Sequence, residues 1–175
     1  MSSSFVRVLT LSVVAVATVA FAGWSRSGEA LASFKATGPA GFKIVGATKN
    51  LDIKDDGTTL TVAIKLTDID TDNSLRNKHM LEDLEAEKMP ACSLTVPLAS
   101  LKEDGKDAEA KGTFALHGKT HEVTFKYTSS CADGVCSIDG ATDINLKDYD
   151  VKVRSYLGIT VKSEVSVTAK FQLKK

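Results

Sequence analysis

The feature that most restricts the fold is an alternation of apolar and polar residues with a period of two. Apolar side chains occupy every second position from Leu60 to Leu66, from Val123 to Tyr127 and from Val165 to Leu173. Neighbouring side chains of an extended strand point to opposite faces of a sheet, so this spacing predicts strands with one apolar and one wet face. Such strands are typical of an antiparallel sheet, and its apolar face must be buried.

Turn residues divide the rest of the chain at regular intervals. Asp55-Asp56-Gly57, Glu103–Lys106 and Gly118-Lys119-Thr120 each separate two strand-like segments, and Gly38-Pro39 marks a further break. This punctuation predicts about eight strands in an all-β barrel or sandwich. A chain of 175 residues with no repeat or linker is expected to form a single domain.

One segment departs from the alternation. Asn73–Lys88 is charged and contains no β-branched residue, which predicts a short helix that ends before Pro90. On a helix, Arg76 lies beside His79 and Met80. Two roles are open: the helix only covers the end of the barrel, or its Arg76 and His79 direct a cation and a hydrogen-bond donor towards a polar ligand head.

The first 32 residues have the order of a secretory signal. Arg7 precedes the uncharged apolar run Val8–Ala22, and two A-x-A cleavage sites follow, one at the end of this run and one ending at Ala32. We favour the second site, which gives a cleaved signal peptide over 1–32 and a mature domain over 33–175. The run is shorter than the roughly 20 residues of a membrane-spanning helix. We therefore expect a periplasmic or secreted protein without a stable membrane anchor.

Cysteine usage agrees with export. Cys131 and Cys136 flank Ala132–Val135, whose Asp133-Gly134 pair favours a two-residue hairpin turn. In that hairpin the two cysteines face each other with Cα atoms about 4.5 Å apart, near the short end of what a disulfide accepts. We predict a Cys131–Cys136 disulfide, as in other proteins of oxidising compartments. Cys92 is then left over as a buried small hydrophobe.

Residues suited to catalysis or metal binding are few. His117 and His121 flank a predicted turn, but two imidazoles are too few for a closed zinc site, and Glu122 is expected on the opposite face from His121. The chain contains no G-x-S-x-G, H-E-x-x-H or glycine-rich phosphate-loop motif. Its formal net charge of zero differs from the basic excess of a nucleic-acid-binding domain. We expect no enzyme, no metal site, no cofactor and no nucleic-acid partner.

Four blocks of the sequence resemble the YceI-like family, whose members are described as polyisoprenoid-binding periplasmic proteins. Ser74–Met80 is similar to the family's R-x-x-H-(L/M) segment, and Glu87–Pro90 to the (E/D)-K-Y-P that opens the next strand. Gly112–Thr124 resembles the hairpin G-x-L-x-(L/I)-x-G-V-T-x-x-V, and Tyr156–Val167 resembles the closing V-x-D-x-V-x-(I/V) hairpin. In order and spacing, the blocks cover nearly all of the predicted mature chain.

The sequence also departs from the family pattern. Met89 stands where an aromatic residue is usual, Lys119 where valine is common, and Ala40-Gly41-Phe42 where the family has D-x-x-H-S. We expect these differences to affect the shape of the barrel mouth and the choice of ligand, and not the fold.

The resemblance implies an eight-stranded antiparallel lipocalin-like barrel whose apolar tunnel holds an isoprenoid, such as a polyprenyl lipid or the tail of an isoprenoid quinone. The protein would act as a carrier or store, with this lipid as its partner and no bond made or broken. A structural or stress-related protein with a filled core and no ligand is the alternative, and a homodimer is left open. The residues expected to contact the lipid are Leu60, Val62, Ile64, Arg76, His79, Phe114, Leu116, Val123, Phe125, Tyr127, Ile138, Val165, Val167 and Phe171.

Overall fold

Strands form most of the described chain. The computed structural model describes residues 23–156 and 159–175. In chain order its elements are β1 (Ser25–Thr37), β2 (Lys43–Thr48), β3 (Asp52–Asp55), β4 (Thr59–Lys65), α1 (Ser74–Asp83), β5 (Ala91–Pro97), β6 (Ala108–Leu116), β7 (Lys119–Ala132), β8 (Val135–Asn145), β9 (Ser155–Tyr156), β10 (Ile159–Thr160) and β11 (Glu164–Lys174). Short 3-10 turns lie at Pro39–Gly41, Leu66–Asp68 and Leu98–Ser100.

Within these ranges, nine strands form one antiparallel sheet in the order β2-β1-β11-β8-β7-β6-β5-β4-β3, and β9 pairs separately with β10. The sheet curls into a half-barrel that brings its edge strand β3 against β1. Side chains bridge this seam, since Arg26 donates to the carbonyls of Leu51 and Lys49 and Asp55 accepts from the Trp24 N–H. The predicted all-β antiparallel fold is confirmed, with nine strands in the sheet where eight were expected.

The β7–β8 hairpin has the predicted turn. Asp133 and Gly134 both have positive φ, 52° and 75°, as a type I′ turn requires. Cys131 lies opposite Cys136 with 4.0 Å between their Cα atoms, and the two form a disulfide. This prediction is confirmed.

The β6–β7 turn lies one residue earlier than predicted. Its central residues are His117 and Gly118, with φ values of 49° and 70°, so Leu116 pairs with Lys119. Our prediction of a Gly118-Lys119-Thr120 turn is wrong because a histidine occupies the left-handed position, where glycine, asparagine or aspartate is the usual signal.

The helix is shorter than the predicted Asn73–Lys88. Asn73 caps its start by accepting the Arg76 N–H, and α1 ends at Asp83. Glu85 follows with a φ of 45°, while the Ala86 N–H donates to the Leu81 carbonyl and the Glu85 N–H to that of Glu82. This is a Schellman motif with glutamate where glycine is usual, which explains why the sequence did not reveal the helix end. No helix in the part of the chain that the structure describes is long and apolar enough to cross a membrane.

Strand β1 begins before residue 33. The predicted signal over 1–32 lies mostly outside the described residues, but β1 already starts at Ser25. Ala30 and Ala32 are 4% and 3% exposed, and Leu31 and Ala32 pair with Lys170 and Ala169 of β11. A bulge between Ser27 and Leu31, where Gly28 has a φ of 64°, precedes this pairing. The expected boundary at Ser33 therefore falls inside a central strand.

This boundary gives a direct stability prediction. A chain that starts at Ser33 loses the buried Ala30 and Ala32 and the first part of the β1–β11 ladder, so we expect its free energy of unfolding to fall by about 3 kcal/mol or more. The matched control is a chain that starts at Gly23, and denaturant unfolding measures both. Equal unfolding free energies would show that the first half of β1 does not stabilise the domain.

Candidate functional site

Two apolar cavities lie inside the curled sheet. The first has a volume of about 440 Å³ and the second of about 100 Å³. Ala32, Ile64, Cys92, Phe114 and Val167 border both, so the cavities adjoin along the barrel axis and are separated by these side chains. The larger volume lies within the range of small-molecule binding sites in proteins. Two adjoining apolar cavities suit an elongated apolar molecule.

Most predicted contact residues border the cavities. Leu116 and Val165 line the first, and Ile64, Phe114 and Val167 line both. The second is lined by Leu60, Val62, Phe125, Tyr127, Ile138 and Phe171. Val123 lies opposite Gly112 on the inner face of the sheet, but it packs against the core around Phe114 and borders neither cavity among the described lining residues.

Strands β1 and β2 provide a wall of the first cavity that is absent from the predicted contact residues. Phe34, Ala36, Ile44 and Gly46 all line the first cavity. Phe34 lies directly opposite Gly46, and a Cβ atom at Gly46 would collide with the Phe34 ring. Phe34 and Ala36 in β1, and Ile44 and Gly46 in β2, are each two residues apart in the sequence. Two such positions are too few to predict which face of the sheet they occupy without the neighbouring strands.

One side of the first cavity opens to solvent. Lys152, Arg154 and Ser155 line the cavity and are also solvent-exposed. Across from them α1 contributes Arg76 and His79. We call this rim, formed by α1 and residues 151–155, the mouth.

The predicted Arg76 is held at the mouth by specific contacts. One terminal N–H of its guanidinium donates to the Thr71 carbonyl at 2.6 Å, and the ring of Phe42 lies 5.8 Å from its central carbon. Asn77 fixes Thr71 in turn, because its side-chain oxygen accepts the Thr71 N–H at 2.9 Å and the Thr71 hydroxyl at 2.6 Å. The Arg76 Nε is buried and has no hydrogen-bond partner among the described residues. The guanidinium is thus held in place while its buried Nε–H donor stays unpaired among the described residues.

An ion pair joins the two sides of the mouth. The Arg154 Nε donates to both carboxylate oxygens of Asp83, at 2.8 and 2.6 Å, and its terminal nitrogen lies 2.9 Å from Glu82. Asp83 is the last residue of α1, and Arg154 lies three residues after the buried core residue Val151. The bonds between Arg154 and Asp83 therefore hold the end of the helix over the cavity.

His117 and His121 support Tyr149. The His117 Nδ1 lies 2.8 Å from the Tyr149 carbonyl and therefore donates to it, and the His121 ring packs edge-on against the Tyr149 ring at 5.0 Å. Burial raises the pKa of Tyr149. Glu122 lies outside and pairs with Lys111 at 2.8 Å. In residues 23–156 and 159–175, no three His, Cys, Asp or Glu side chains are grouped to hold a metal.

A curled antiparallel sheet around an apolar cavity, with one helix at the mouth, defines an internal-cavity barrel of the lipocalin-like class. Within that class the chain belongs to the YceI-like domain family, whose model matches residues 16–173. No curated protein matches the sequence.

Solved structures with this fold share little sequence with the chain. A polyisoprenoid binding domain from Saccharophagus degradans, implicated in plant cell wall breakdown, has 14% identity and a TM-score of 0.68, over 87% of this chain and 97% of that one. Burkholderia cenocepacia BcnA has 16% identity and a TM-score of 0.65, over 82% and 95%. The Campylobacter jejuni YceI protein has 15% identity and a TM-score of 0.50, over 99% and 91%. At these identities the likeness establishes the fold.

Cys92 provides a chemical test of the boundary between the two cavities. We call this boundary, formed by Ala32, Ile64, Cys92, Phe114 and Val167, the junction. It is the free cysteine of the described chain, and burial raises the pKa of its thiol to about 11. Since the thiolate is the reactive form, labelling of the native protein by a small maleimide should rise about tenfold per pH unit between roughly pH 7 and 10. In denaturant the rate should level off near the ordinary pKa of about 8.5. The same plateau in the native protein would mean that Cys92 faces water.

Proposed function

We propose that this protein binds an apolar isoprenoid-type lipid, a polyprenyl chain or the tail of an isoprenoid quinone, and acts as its carrier or store without making or breaking a bond. The observation that carries the proposal is the cavity of about 440 Å³, with its mostly apolar lining and the second cavity that adjoins it. That the Saccharophagus degradans neighbour is a polyisoprenoid binding domain supports this choice of ligand.

The physical basis is burial of the tail. Each CH₂ group removed from water contributes about 0.8 kcal/mol, so a chain of several isoprene units binds well without directional contacts. The side chains of the junction between the two cavities, among them Ile64, Phe114 and Val167, offer the lipid tail an apolar surface. A shorter, more polar molecule would leave this surface uncovered.

The polar head of the lipid would lie at the mouth. The unpartnered Arg76 Nε can donate to a quinone carbonyl or a phosphate oxygen, and His79 borders the same space. A hydrogen bond there would satisfy a buried donor, which is otherwise costly to leave unpaired. We propose that Arg76 and His79 orient the head while the tail extends towards the second cavity.

We further propose that the protein is exported and that cleavage follows Ala22. The Cys131–Cys136 disulfide supports an oxidising compartment. Cleavage at the site favoured from sequence, after Ala32, would remove the first half of β1 with the buried Ala30 and Ala32. The earlier A-x-A site leaves β1 whole.

Lipid binding is tested by extraction and by filling the junction. Protein purified gently from its native host should yield an isoprenoid lipid by organic extraction and mass spectrometry. Val167→Trp, which borders both cavities, should weaken uptake of a short-tailed prenyl quinone by at least about tenfold, because one tail segment of roughly 1.4 kcal/mol or more is displaced.

The matched control for this variant is Lys170→Trp, which adds the same side chain on the outer face of β11, where Lys170 is 72% exposed. Unfolding by denaturant, measured for both variants, separates lost binding from lost folding. A native preparation without bound lipid that also fails to take up the quinone would overturn the proposal.

Export is tested by the mass of the mature chain. Protein recovered from the periplasm or medium should begin at Gly23, since a signal peptidase acts after the A-x-A sequence that ends at Ala22. A mature chain that begins at Ser33, or protein retained uncleaved in the cytoplasm, would contradict this proposal.

A further inference from the structure

The loop between β5 and β6 closes the barrel at the end opposite the mouth. Since α1 precedes β5, this strand begins at the mouth and ends, at Pro97, on the opposite side, which we call the far end. Leu101 of this loop borders the second cavity, while Ser100 before it and Lys102 after it are exposed. The Leu101 side chain therefore lies between the second cavity and the surface of the protein.

Hydrogen bonds hold the loop next to Leu101. The Lys102 N–H donates to the hydroxyl of Tyr127 at 2.8 Å, and the hydroxyl of Ser129 donates to the Lys102 carbonyl. Ser129 also accepts the Gly105 N–H at 2.9 Å, and both Tyr127 and Ser129 are buried. Leu101 itself packs against two core clusters, one with Leu60 and Phe171 and one with Phe125 and Tyr127. The side chain that closes the far end is thus fixed in place.

The volume of the cavities limits the length of a bound tail. An apolar cavity of about 150 Å³ holds the six-carbon ring of benzene, which corresponds to about 25 Å³ per carbon atom. On that scale the first cavity, of about 440 Å³, holds about 18 carbon atoms, and the second, of about 100 Å³, holds about four more. Because an isoprene unit has five carbon atoms, the two cavities together hold about four units.

The length of the cavities gives a similar limit. Along β11 they extend from Val165, which borders the first cavity, to Phe171, which borders the second. The strand between these residues spans about 20 Å, and the strand tilt of a barrel, about 40°, reduces this to about 15 Å along its axis. An extended chain advances about 1.2 Å per backbone bond, as a polypeptide does with three bonds in about 3.6 Å. An isoprene unit of four such bonds is then about 4.8 Å long, which gives space for about three units.

We propose that the enclosed site takes an isoprenoid tail of three to four units, about 15 to 20 carbon atoms, and that Leu101 sets this limit. This rests on the proposed function, since it concerns the length of the same tail. A tail with more units meets Leu101 at the far end, and its remaining carbon atoms stay outside the mouth. Carbon atoms left in water add nothing to binding, so the affinity stops rising with length once the cavities are full.

The test compares ubiquinones with four and with eight isoprene units. Each is presented to the full chain in detergent, and bound quinone is measured after gel filtration. In Leu101→Ala the longer tail can pass the far end while its head stays at Arg76, so the ratio of eight-unit to four-unit quinone bound should rise at least about tenfold above the wild-type ratio. Comparing ratios between proteins cancels the different solubility of the two quinones.

Leu98→Ala is the matched control. Leu98 belongs to the same end of the barrel and packs against the same core cluster as Leu101, but it borders neither cavity among the described lining residues. The substitution removes the same atoms without opening the second cavity, so the wild-type ratio should persist. Thermal unfolding of both variants shows whether each one is folded at the temperature of the binding measurement.

Wild-type protein provides a second measurement that needs no variant. The lipid extracted from protein of the native host should carry a tail of about 15 to 20 carbon atoms. An extracted lipid with eight units would overturn the length limit and leave lipid binding standing. A Leu101→Ala ratio equal to that of wild type, or the same rise in Leu98→Ala, would overturn the role of Leu101. Wild-type protein that carries no lipid and takes up neither quinone would instead overturn the proposed function.

Discussion

The apolar inner face of the sheet is the constraint on which the rest of the structure depends. Nine strands cannot leave that face in water, and the sheet buries it by curling over itself. The inner residues of β1 and β2 are small where the sheet closes, as at Ala32, Ala36 and Gly46. A curled sheet of this width with small side chains at its seam does not fill its own interior. The alternation makes the strands, and the cavity follows from the side chains that the curled sheet brings together at this seam.

The mouth depends on local rules of helix formation. The Asn73 cap starts α1, the left-handed Glu85 ends it, and the ion pair of Arg154 with Asp83 ties its last turn to the opposite rim. A helix of ten residues is marginal alone in water, so these contacts and its packing at the barrel end give it its place. Because α1 is fixed at both ends, Arg76 keeps its position at the cavity.

Structural features that depend on residues close together in the sequence were mostly predicted. Features that depend on contacts between residues far apart in the chain were missed. Strand alternation and the Asp133-Gly134 turn are local, and both led to correct predictions, including the disulfide. Glu85 and His117 adopt left-handed conformations that glycine usually signals, so the helix end and one turn were misplaced. Whether the interior is filled or hollow depends on how Phe34, Gly46 and Phe114 meet across strands far apart in the chain. No periodicity in one strand contains that information.

The two ends of the barrel differ, and this gives a bound chain a direction. Along β11, Val165 borders the first cavity, Val167 both and Phe171 the second. Beyond Phe171, Leu173 lies opposite Cys136 and both are buried, so apolar side chains and the disulfide-bonded hairpin occupy the far end. The charged lining residues, among them Arg76 and Arg154, border only the first cavity, at the other end. An amphipathic lipid placed tail first would bury its apolar part and keep its head beside the charged lining residues of the first cavity. The reverse orientation would leave a polar head among Phe125, Tyr127 and Phe171, in a lining without a charged side chain.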